Sequence, residues 1–245
     1  MLIWLRVSTM LYVFPVFQAR QIPTLVRIGL GLLISFVLVR AVPVMPALPD
    51  IGALAAAAVS QVVLGLIVGF VAYLVFTGIQ FAGEIVDIQI GFAVANVIDP
   101  TRQQQATVLG ELELTLATLF FLISNSHLLF LQGIGGSFHL VPLPYIDLNP
   151  AVAGDVVSVL SAAFLVVIKV AAPAAVSLFI VNVALGLMAR VAPQMNVFVV
   201  GFPLQIGVGL MMLAVSVPLL GYVAPQLFNQ TAHSMDAVMR GMAVR

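Results

Sequence analysis

The chain has 245 residues, of which 62% are hydrophobic and 7% are charged, and its mean hydropathy is +1.21. Soluble domains have a charged fraction of about 25%, so this composition excludes that class and predicts a membrane protein. Nine basic and nine acidic residues give a net charge of zero, which excludes the positive surface that nucleic-acid binding needs. The absence of cysteine excludes disulfides, thiol nucleophiles and thiolate metal sites.

The apolar N-terminus, MLIWLRVSTMLYVFPVF, is predicted to be a retained helix. It has no basic region at its start, it holds Arg6 inside the apolar run, and no small-x-small cleavage site follows, which together argue against a signal peptide. Six apolar stretches are predicted to be helical. They run from Leu2 to Phe17, Ile28 to Val42, Ile51 to Ala82, Leu112 to Leu131, Val156 to Ala189 and Val197 to Ala224.

The lengths of these stretches are uneven. About 20 apolar residues in a helix cross the hydrocarbon core of a bilayer, which is about 30 Å thick. The first two stretches are short for a crossing, whereas the third and fifth are longer than one crossing and contain internal breaks or breakers such as Pro173. Such lengths favour helical hairpins, tilted helices or partial insertion. The predicted fold is all-α, with about six hydrophobic helical segments whose topology hydropathy leaves open.

Prolines gather in three segments that are predicted to be loops: Pro43 to Asp50, Val141 to Pro150, and Ala192 to Asn196. Proline ends helices because it lacks the N–H donor and clashes with the preceding turn. No repeat of fixed period and no low-complexity linker divides the chain. We therefore predict one membrane-embedded domain over residues 1–245.

Two pairs of glycines predict close packing between helices. Gly65 and Gly69 form a small-xxx-small pair, and Gly207 and Gly209 mark a second thin helix face. Such pairs are common in membrane helices, so the pattern leaves the neighbouring helix open.

A polar segment, EIVDIQIGFAVANVIDP, interrupts the apolar runs from Glu84 to Pro100. Glu84 and Asp87 are three residues apart and share one face of a helix. A carboxylate at the centre of a bilayer costs about 2.5 to 3.5 kcal/mol, so something must solvate these two. Three interpretations remain open: a proton or cation relay in a transporter, a polar passage or subunit contact, and an aqueous loop.

Five other polar residues stand in or beside the apolar runs. Glu111 and Glu113 face different sides of a helix and are interpreted as acids at its start, where the helix dipole favours them. His127 and His139 fit no zinc spacing and no HExxH motif, so they are interpreted as helix-end and loop residues, with an intramembrane enzyme as the alternative. Lys169 predicts either that its helix ends there or that its ammonium group faces a partner.

Three blocks carry a family resemblance: FAGEIVDIQIGFAVANVIDP, SNSHLLFLQGIGGSFHLVPL and NVALGLMARVAPQMNVFVVGFPLQIGVGL. In this order they resemble the FliR family of the flagellar export apparatus, which is related to the corresponding subunit of virulence type III secretion systems. The similarity covers nearly the whole chain from Arg6, and RVAPQMNVFVVGFPLQ is more similar to the flagellar branch. The apolar stretch before Arg6 is shorter than is usual in the family, so the start of the first helix is expected to differ.

The resemblance implies a non-enzymatic subunit of a protein export gate, without catalytic, cofactor-binding or metal-binding residues. It implies one copy in a hetero-oligomer of helical hairpins with FliP-like and FliQ-like subunits, and a FlhB-like subunit at the base. The implied location is the bacterial inner membrane, in the flagellar basal body, and the implied cargo is unfolded protein. A proton-coupled secondary transporter that uses Glu84 and Asp87 is the alternative from another class.

The resemblance further implies a plug loop that helps to close the channel, at Gly91 to Gly110. Glu84 and Asp87 are then expected to face other subunits or the channel lumen rather than lipid. This segment of small, apolar and amide residues, in which Asp99 and Pro100 end the helical run, is weakly committed to secondary structure, which suits a loop that fills a pore and then yields. The predicted gating residues are Gly91, Phe92, Asn96, Asp99, Pro100, Gln103, Gln104 and Gln105.

Overall fold

A computed structural model describes residues 1–18, 22–43, 49–92, 107–147 and 149–243, and of Phe198 it describes the backbone alone. All regular structure among these residues is helical, which confirms the all-α prediction. The helices are α1 (Leu2–Val13), α2 (Pro15–Gln18), α3 (Thr24–Leu38), α4 (Ile51–Ile90), α5 (Val108–Ile123), α6 (Ser126–Leu140), α7 (Pro150–Val191) and α8 (Val197–Gly241).

Three of these helices are long and apolar enough to cross a membrane, namely α4, α7 and α8. The pair α5 and α6 forms a fourth candidate span if its two helices, bent by 75°, are counted together. Helices α1 and α3 have 12 and 15 residues and are shorter than a full crossing. The uneven lengths predicted from hydropathy are therefore present in the fold.

The predicted helix from Leu112 to Leu131 is wrong, because the chain bends between α5 and α6. Asn125 adopts a left-handed conformation with φ of 57°, which asparagine tolerates better than most residues. The hydroxyl groups of Ser124 and Ser126, on either side, are 2.7 Å apart and hydrogen-bonded. Short polar side chains that bond locally compete with the helix and allow this bend.

Two predicted loops lie between helices as expected. Helix α6 ends at Leu140 and α7 begins at Pro150, and α7 ends at Val191 before α8 begins at Val197. At the start of α7 the side-chain oxygen of Asn149 accepts a hydrogen bond from the N–H of Ala151 at 3.2 Å. Asparagine before the helix and proline as its first residue are favoured, because proline lacks an N–H that would have no partner there.

Prolines within the long helices do not end them. Helix α7 continues through Pro173, where a break was predicted, and α8 continues to Gly241 rather than ending near Ala224 although it contains Pro203, Pro218 and Pro225. Each proline removes one backbone hydrogen bond. In apolar surroundings the remaining backbone groups have no better partners than those within the helix, so the helix persists.

The chain forms two compact units. The first comprises Met1–Val75, Phe121–Ala162 and Gln226–Arg245. In this unit α1 packs against α4 through the predicted glycine pair: a Cβ on Gly65 would lie 2.9 Å from the carbonyl oxygen of Arg6, and one on Gly69 would lie 2.9 Å from Cβ of Val13. Only glycine permits this approach, so the neighbour that the sequence left open is α1 of the same chain.

A buried arginine joins three helices of the first unit. Arg6 has no exposed surface, and its Nε donates to Oε1 of Gln61 at 2.7 Å. Its Nη1 donates to the carbonyl oxygens of Ser137 and Val141, both at 2.9 Å, and its guanidinium carbon lies 4.3 Å from the ring centroid of Phe138. The carbonyl group of Ser137 also accepts the N–H of Val141, so Arg6 stabilises the end of α6 by a second bond to Ser137, a bond to Val141 and its positive charge near the negative end of the helix dipole.

The second unit comprises Phe76–Phe120 and Ala163–Pro225. Its core combines the end of α4 with the start of α5 and the middle of α7. The buried members of this cluster are Val86, Ile90, Leu109, Ala174 and Leu178, with Phe92, Ile206, Val208, Met212 and Leu213 packed against them. The boundaries of the two units fall inside helices α4, α5, α7 and α8, and the single domain over residues 1–245 stays a prediction.

Candidate functional site

The end of α4 and the start of α5 meet in the second unit through two glycines. A Cβ built on Gly83 would lie 2.7 Å from the carbonyl oxygen of Leu109 and 2.9 Å from Cα of Gly110. A Cβ on Gly110 would lie 2.8 Å from Cγ of Glu84. The two backbones are therefore in direct contact, and a side chain at either glycine would separate the helices.

Gly91 ends α4 in a left-handed turn with φ of +92°. Its N–H donates to the carbonyl oxygen of Ile88 at 3.2 Å. The N–H of Phe92 donates to the carbonyl oxygen of Asp87, also at 3.2 Å. These bonds form a Schellman motif, in which glycine closes the helix and the following residue packs back onto it. Phe92 does so by packing against the core cluster that includes Val86.

Asp87 provides a cap for the start of α5. Its carboxylate is buried, and Oδ2 accepts a hydrogen bond from the backbone N–H of Leu109 at 3.0 Å. Leu109 is the second residue of α5, and the first N–H groups of a helix have no partner within it. A negative charge at this end of a helix is also favourable because of the helix dipole. Asp87 thus links the end of α4 to the start of α5, which lie on either side of residues 93–106 in the sequence.

Three further acids lie on these two helices in different surroundings. Glu84 is half-buried, and its Oε1 accepts a hydrogen bond from Nε2 of Gln80 at 3.3 Å. Glu111 is exposed in the first turn of α5, as predicted for an acid at a helix start. Glu113 is 3% exposed, so the two glutamates do face different sides, but Glu113 is a buried residue rather than a solvated one.

Several buried polar atoms in these helix ends have no hydrogen-bond partner within the described ranges. They are Oδ1 of Asp87, Oε1 of Gln89, Oγ1 of Thr107 and Oε2 of Glu113. Within the same ranges, no three His, Cys, Asp or Glu residues are grouped so that they would hold a metal ion. The arrangement stabilises a junction between two helix ends.

The structure describes four of the residues predicted to act in this region. Glu84 and Asp87 lie on one face of α4 against the start of α5, so their shared face is confirmed and these two acids belong to a helix rather than to an aqueous loop. Gly91 and Phe92 form the cap of α4. The other predicted gating residues lie outside the described residues: Asn96, Asp99, Pro100, Gln103, Gln104 and Gln105.

The predicted end of the plug loop is shifted by the structure. The loop was expected to reach Gly110, but residues 108–110 belong to α5. The helix begins at Val108 because Asp87 accepts a hydrogen bond from the backbone N–H of Leu109 and so stabilises the first turn. Contacts of Glu84 and Asp87 with other subunits or with a lumen stay a prediction.

The histidines and the lysine lie in ordinary helical positions. His127 is in the first turn of α6, with its ring centroid 6.3 Å from that of Phe121, and His139 is in the last turn. Both are therefore helix-end residues, as interpreted. Helix α7 continues through Lys169, so the interpretation that the helix ends there is wrong. That its ammonium group faces a partner stays a prediction.

The partner of Asp87 could not be read from the sequence, because Leu109 is 22 positions away and contributes a backbone group. The contact between Gly83 and Gly110 was also not predicted, although the sequence contains a signal for it. Gly83 and Gly110 each stand directly before a glutamate, and small residues within apolar helices signal a close approach of helices.

The long apolar helices α4, α7 and α8 indicate a helical membrane protein with several candidate spans. Its candidate site is a junction of two helices, held by a backbone contact between glycines and by a buried carboxylate that caps the second helix. Comparison with known families identifies the family to which the chain belongs. The chain belongs to the bacterial export proteins, family 1, whose sequence pattern matches residues 1–231. The resemblance to the FliR family is thereby confirmed.

Named relatives agree with this family. The chain is 34% identical to flagellar biosynthetic protein FliR of Bacillus subtilis (strain 168) over 243 residues, which cover 96% of this chain and 92% of the relative. It is 32% identical to FliR of Escherichia coli (strain K12) over 227 residues, covering 92% and 87%. It is also 34% identical to Yop proteins translocation protein T of Yersinia pestis over 161 residues, covering 63% and 60%.

Proposed function

We propose that this chain is a non-enzymatic subunit of the flagellar type III protein export gate, and that it forms part of the channel through which unfolded flagellar proteins cross the inner membrane. The observation that carries the proposal is the similarity to a flagellar biosynthetic protein over 96% of this chain and 92% of the relative. Near-complete coverage on both sides supports the same role for the whole polypeptide rather than for a shared segment.

The proposed partners are FliP-like and FliQ-like subunits, with a FlhB-like subunit at the base and one copy of this chain in each assembly. Exposed apolar side chains on α7 and α8, among them Phe164, Phe179 and Met211, support a site in contact with lipid or with other membrane subunits. The proposed location is the bacterial inner membrane, in the flagellar basal body. Energy for export is supplied by other components, and this subunit acts passively.

Within this role, the segment that begins at Gly91 is proposed as the plug of the channel. Support comes from its two ends, since the cap at Gly91 and the start of α5 are both tied to Asp87. An anchored base lets the residues between move without loss of α4 or α5. Phe92 packs on the core of the second unit, so we assign it to the anchor of the plug rather than to its moving part.

The corresponding subunit of a virulence type III secretion system is the second candidate. It is favoured by the 34% identity to Yop proteins translocation protein T, although that alignment covers 63% of this chain. A secondary transporter is not favoured, because Asp87 already has a partner within the chain at the start of α5.

The test is purification of the tagged chain from its own bacterium in a mild detergent, followed by mass spectrometry. Recovery of several companion subunits in fixed ratio supports the export gate, and their flagellar or virulence type decides between the two candidates. Recovery of the chain alone as a monomer overturns the proposal. The purified chain in liposomes serves as a control, since an isolated gate subunit is expected to move no ions.

A further inference from the structure

Lys169 is the only charged residue on α7 between Asp155 and Arg190. Along α8, no Asp, Glu, Lys or Arg occurs from Val197 to Met235. Within the described ranges the ammonium group of Lys169 has neither a hydrogen-bond nor an ion-pair partner. A charge among apolar residues at membrane depth costs about 2.5 to 3.5 kcal/mol unless it is paired or faces water. Lys169 therefore requires a partner or water from outside these helices.

The ammonium group borders a groove between α7 and α8. The groove has a volume of about 230 Å³ and is lined by Lys169, Val170, Ser216, Leu219, Leu220 and Val223. Ser216 is buried, and its hydroxyl donates to the carbonyl oxygen of Met212 at 2.9 Å. Lys169 thus supplies the groove with its free donor and its charge. A matching occupant is apolar along most of its length and carries a negatively charged acceptor at one point.

The uncharged part of α7 is longer than the hydrocarbon core of a bilayer. Between Asp155 and Arg190, α7 has about 34 residues, or about 51 Å at about 1.5 Å per residue. A tilt of 40°, near the upper limit for membrane helices, still leaves roughly 39 Å along the bilayer normal, against a hydrocarbon thickness of about 30 Å. Part of the exposed apolar surface therefore lies beyond the hydrocarbon, in the headgroup region, where packing against another protein would remove it from water.

The position of Lys169 also argues against a lipid phosphate as its partner. Uncharged, mostly apolar residues lie on both sides of Lys169: 13 after Asp155 and 20 before Arg190, or about 20 Å and about 30 Å of helix. Exposed Phe164, Ile168 and Val176 continue the apolar surface around it. Four methylene groups let lysine reach toward an interface a short distance away, not across this length.

We infer that the groove beside Lys169 is the docking site for an apolar helix of another export-apparatus subunit, and that a carboxylate on that helix pairs with the ammonium group. The positive charge of Lys169 favours a partner with a negatively charged group, and the apolar lining of the groove favours an apolar helix. The inference rests on the proposed function, because it requires a multi-subunit assembly.

The test compares charge variants of the tagged chain, produced together with its companion subunits. The fraction of the chain in the assembled complex is measured by native gel electrophoresis and mass spectrometry. We expect Lys169→Glu to lower this fraction at least tenfold and Lys169→Met to lower it severalfold. Lys169→Arg retains at least half, because the charge is kept.

Two controls separate docking from folding. Arg190→Glu makes the same charge change on an exposed residue at the end of α7, and its assembled fraction is expected to stay within twofold of wild type. The second control is the amount of each variant in membranes without companion subunits, which is expected to stay within twofold. An equal loss of Lys169→Met with and without companions, or assembly of both Lys169→Glu and Lys169→Met at wild-type level, overturns the docking site.

A charge exchange identifies the partner. In the Lys169→Glu background, the acidic residues in the apolar segments of each companion are changed singly to lysine, and one of them is expected to restore assembly. Restoration by none of these changes rules out a carboxylate partner. If the wild-type chain itself fails to assemble, the proposed function fails; if wild type assembles and the Lys169 variants do too, the docking site alone fails.

Discussion

The carboxylate of Asp87 and the backbone N–H of Leu109 form a hydrogen bond of 3.0 Å across 22 positions of the chain. This bond accounts for an acid in an apolar sequence without any chemistry on substrate. The helix start needs an acceptor, the carboxylate needs donors, and burial removes water as the alternative partner for both. In the polar segment in the middle of the chain, Asp87 thus connects α4 to α5 within the protein.

Replacement of Asp87 by alanine is expected to lower the stability of the protein by about 1 to 3 kcal/mol, because the buried N–H of Leu109 loses its acceptor. Glu111→Gln is the matched control, since it removes an exposed acid from the same end of α5 and should cost no more than about 1 kcal/mol. Thermal unfolding in detergent measures both. Equal effects of the two substitutions would contradict the capping role.

Gly83→Ala is expected to destabilise the junction between α4 and α5, because the added methyl group would lie 2.7 Å from the carbonyl oxygen of Leu109. Overpacking of this kind costs about 1 to 3 kcal/mol. Gly186→Ala in α7 is the control, since nothing lies within 4 Å of the position of its Cβ. There alanine should be neutral or stabilising by up to about 1 kcal/mol. A stable Gly83→Ala protein would show that the helices are not in backbone contact.

Arg6→Lys is expected to weaken the first unit although the charge is kept. The guanidinium group reaches Gln61, Ser137 and Val141 at once, and a single ammonium nitrogen cannot reproduce this fork. A buried acceptor left unpaired, such as the carbonyl oxygen of Val141, costs about 1 to 3 kcal/mol, whereas the carbonyl oxygen of Ser137 keeps its bond from the N–H of Val141. Arg240→Lys, at an exposed position, should change stability by less than about 0.5 kcal/mol. Unfolding curves of the two variants that coincide would rule out this role of Arg6.

Deletion of residues 93–105 is expected to make the membrane leaky to small ions without preventing assembly. Phe92 is kept because it packs against the core of the second unit. Ion conductance of cells or proteoliposomes that hold the assembled complex measures the effect. The control replaces the same residues by an equally long Gly/Ser segment, which should also leak. Unchanged conductance in an assembled deletion variant would count against the plug.

The connections between helices were largely readable from local sequence. The loop from Ala192 to Asn196 fits between α7 and α8 to the residue, because proline and polar side chains act within a few positions. The bend at Asn125 and the continuity of α7 through Pro173 were not readable. Whether an asparagine bends a helix, or a proline leaves it intact, depends on which contacts the neighbouring helices offer.

The sequence by itself determined the membrane class, the all-helical fold and the export-protein family, because composition, apolar run length and ordered motif blocks are properties of the chain alone. The tertiary structure decided which polar groups satisfy one another. Asp87 meets Leu109, Arg6 meets the end of α6, and Lys169 is left without a partner in the described part of the chain. Residues distant in sequence become neighbours only through helix packing. A polar group that packing removes from water must then form a hydrogen bond, or it lowers the stability of the protein.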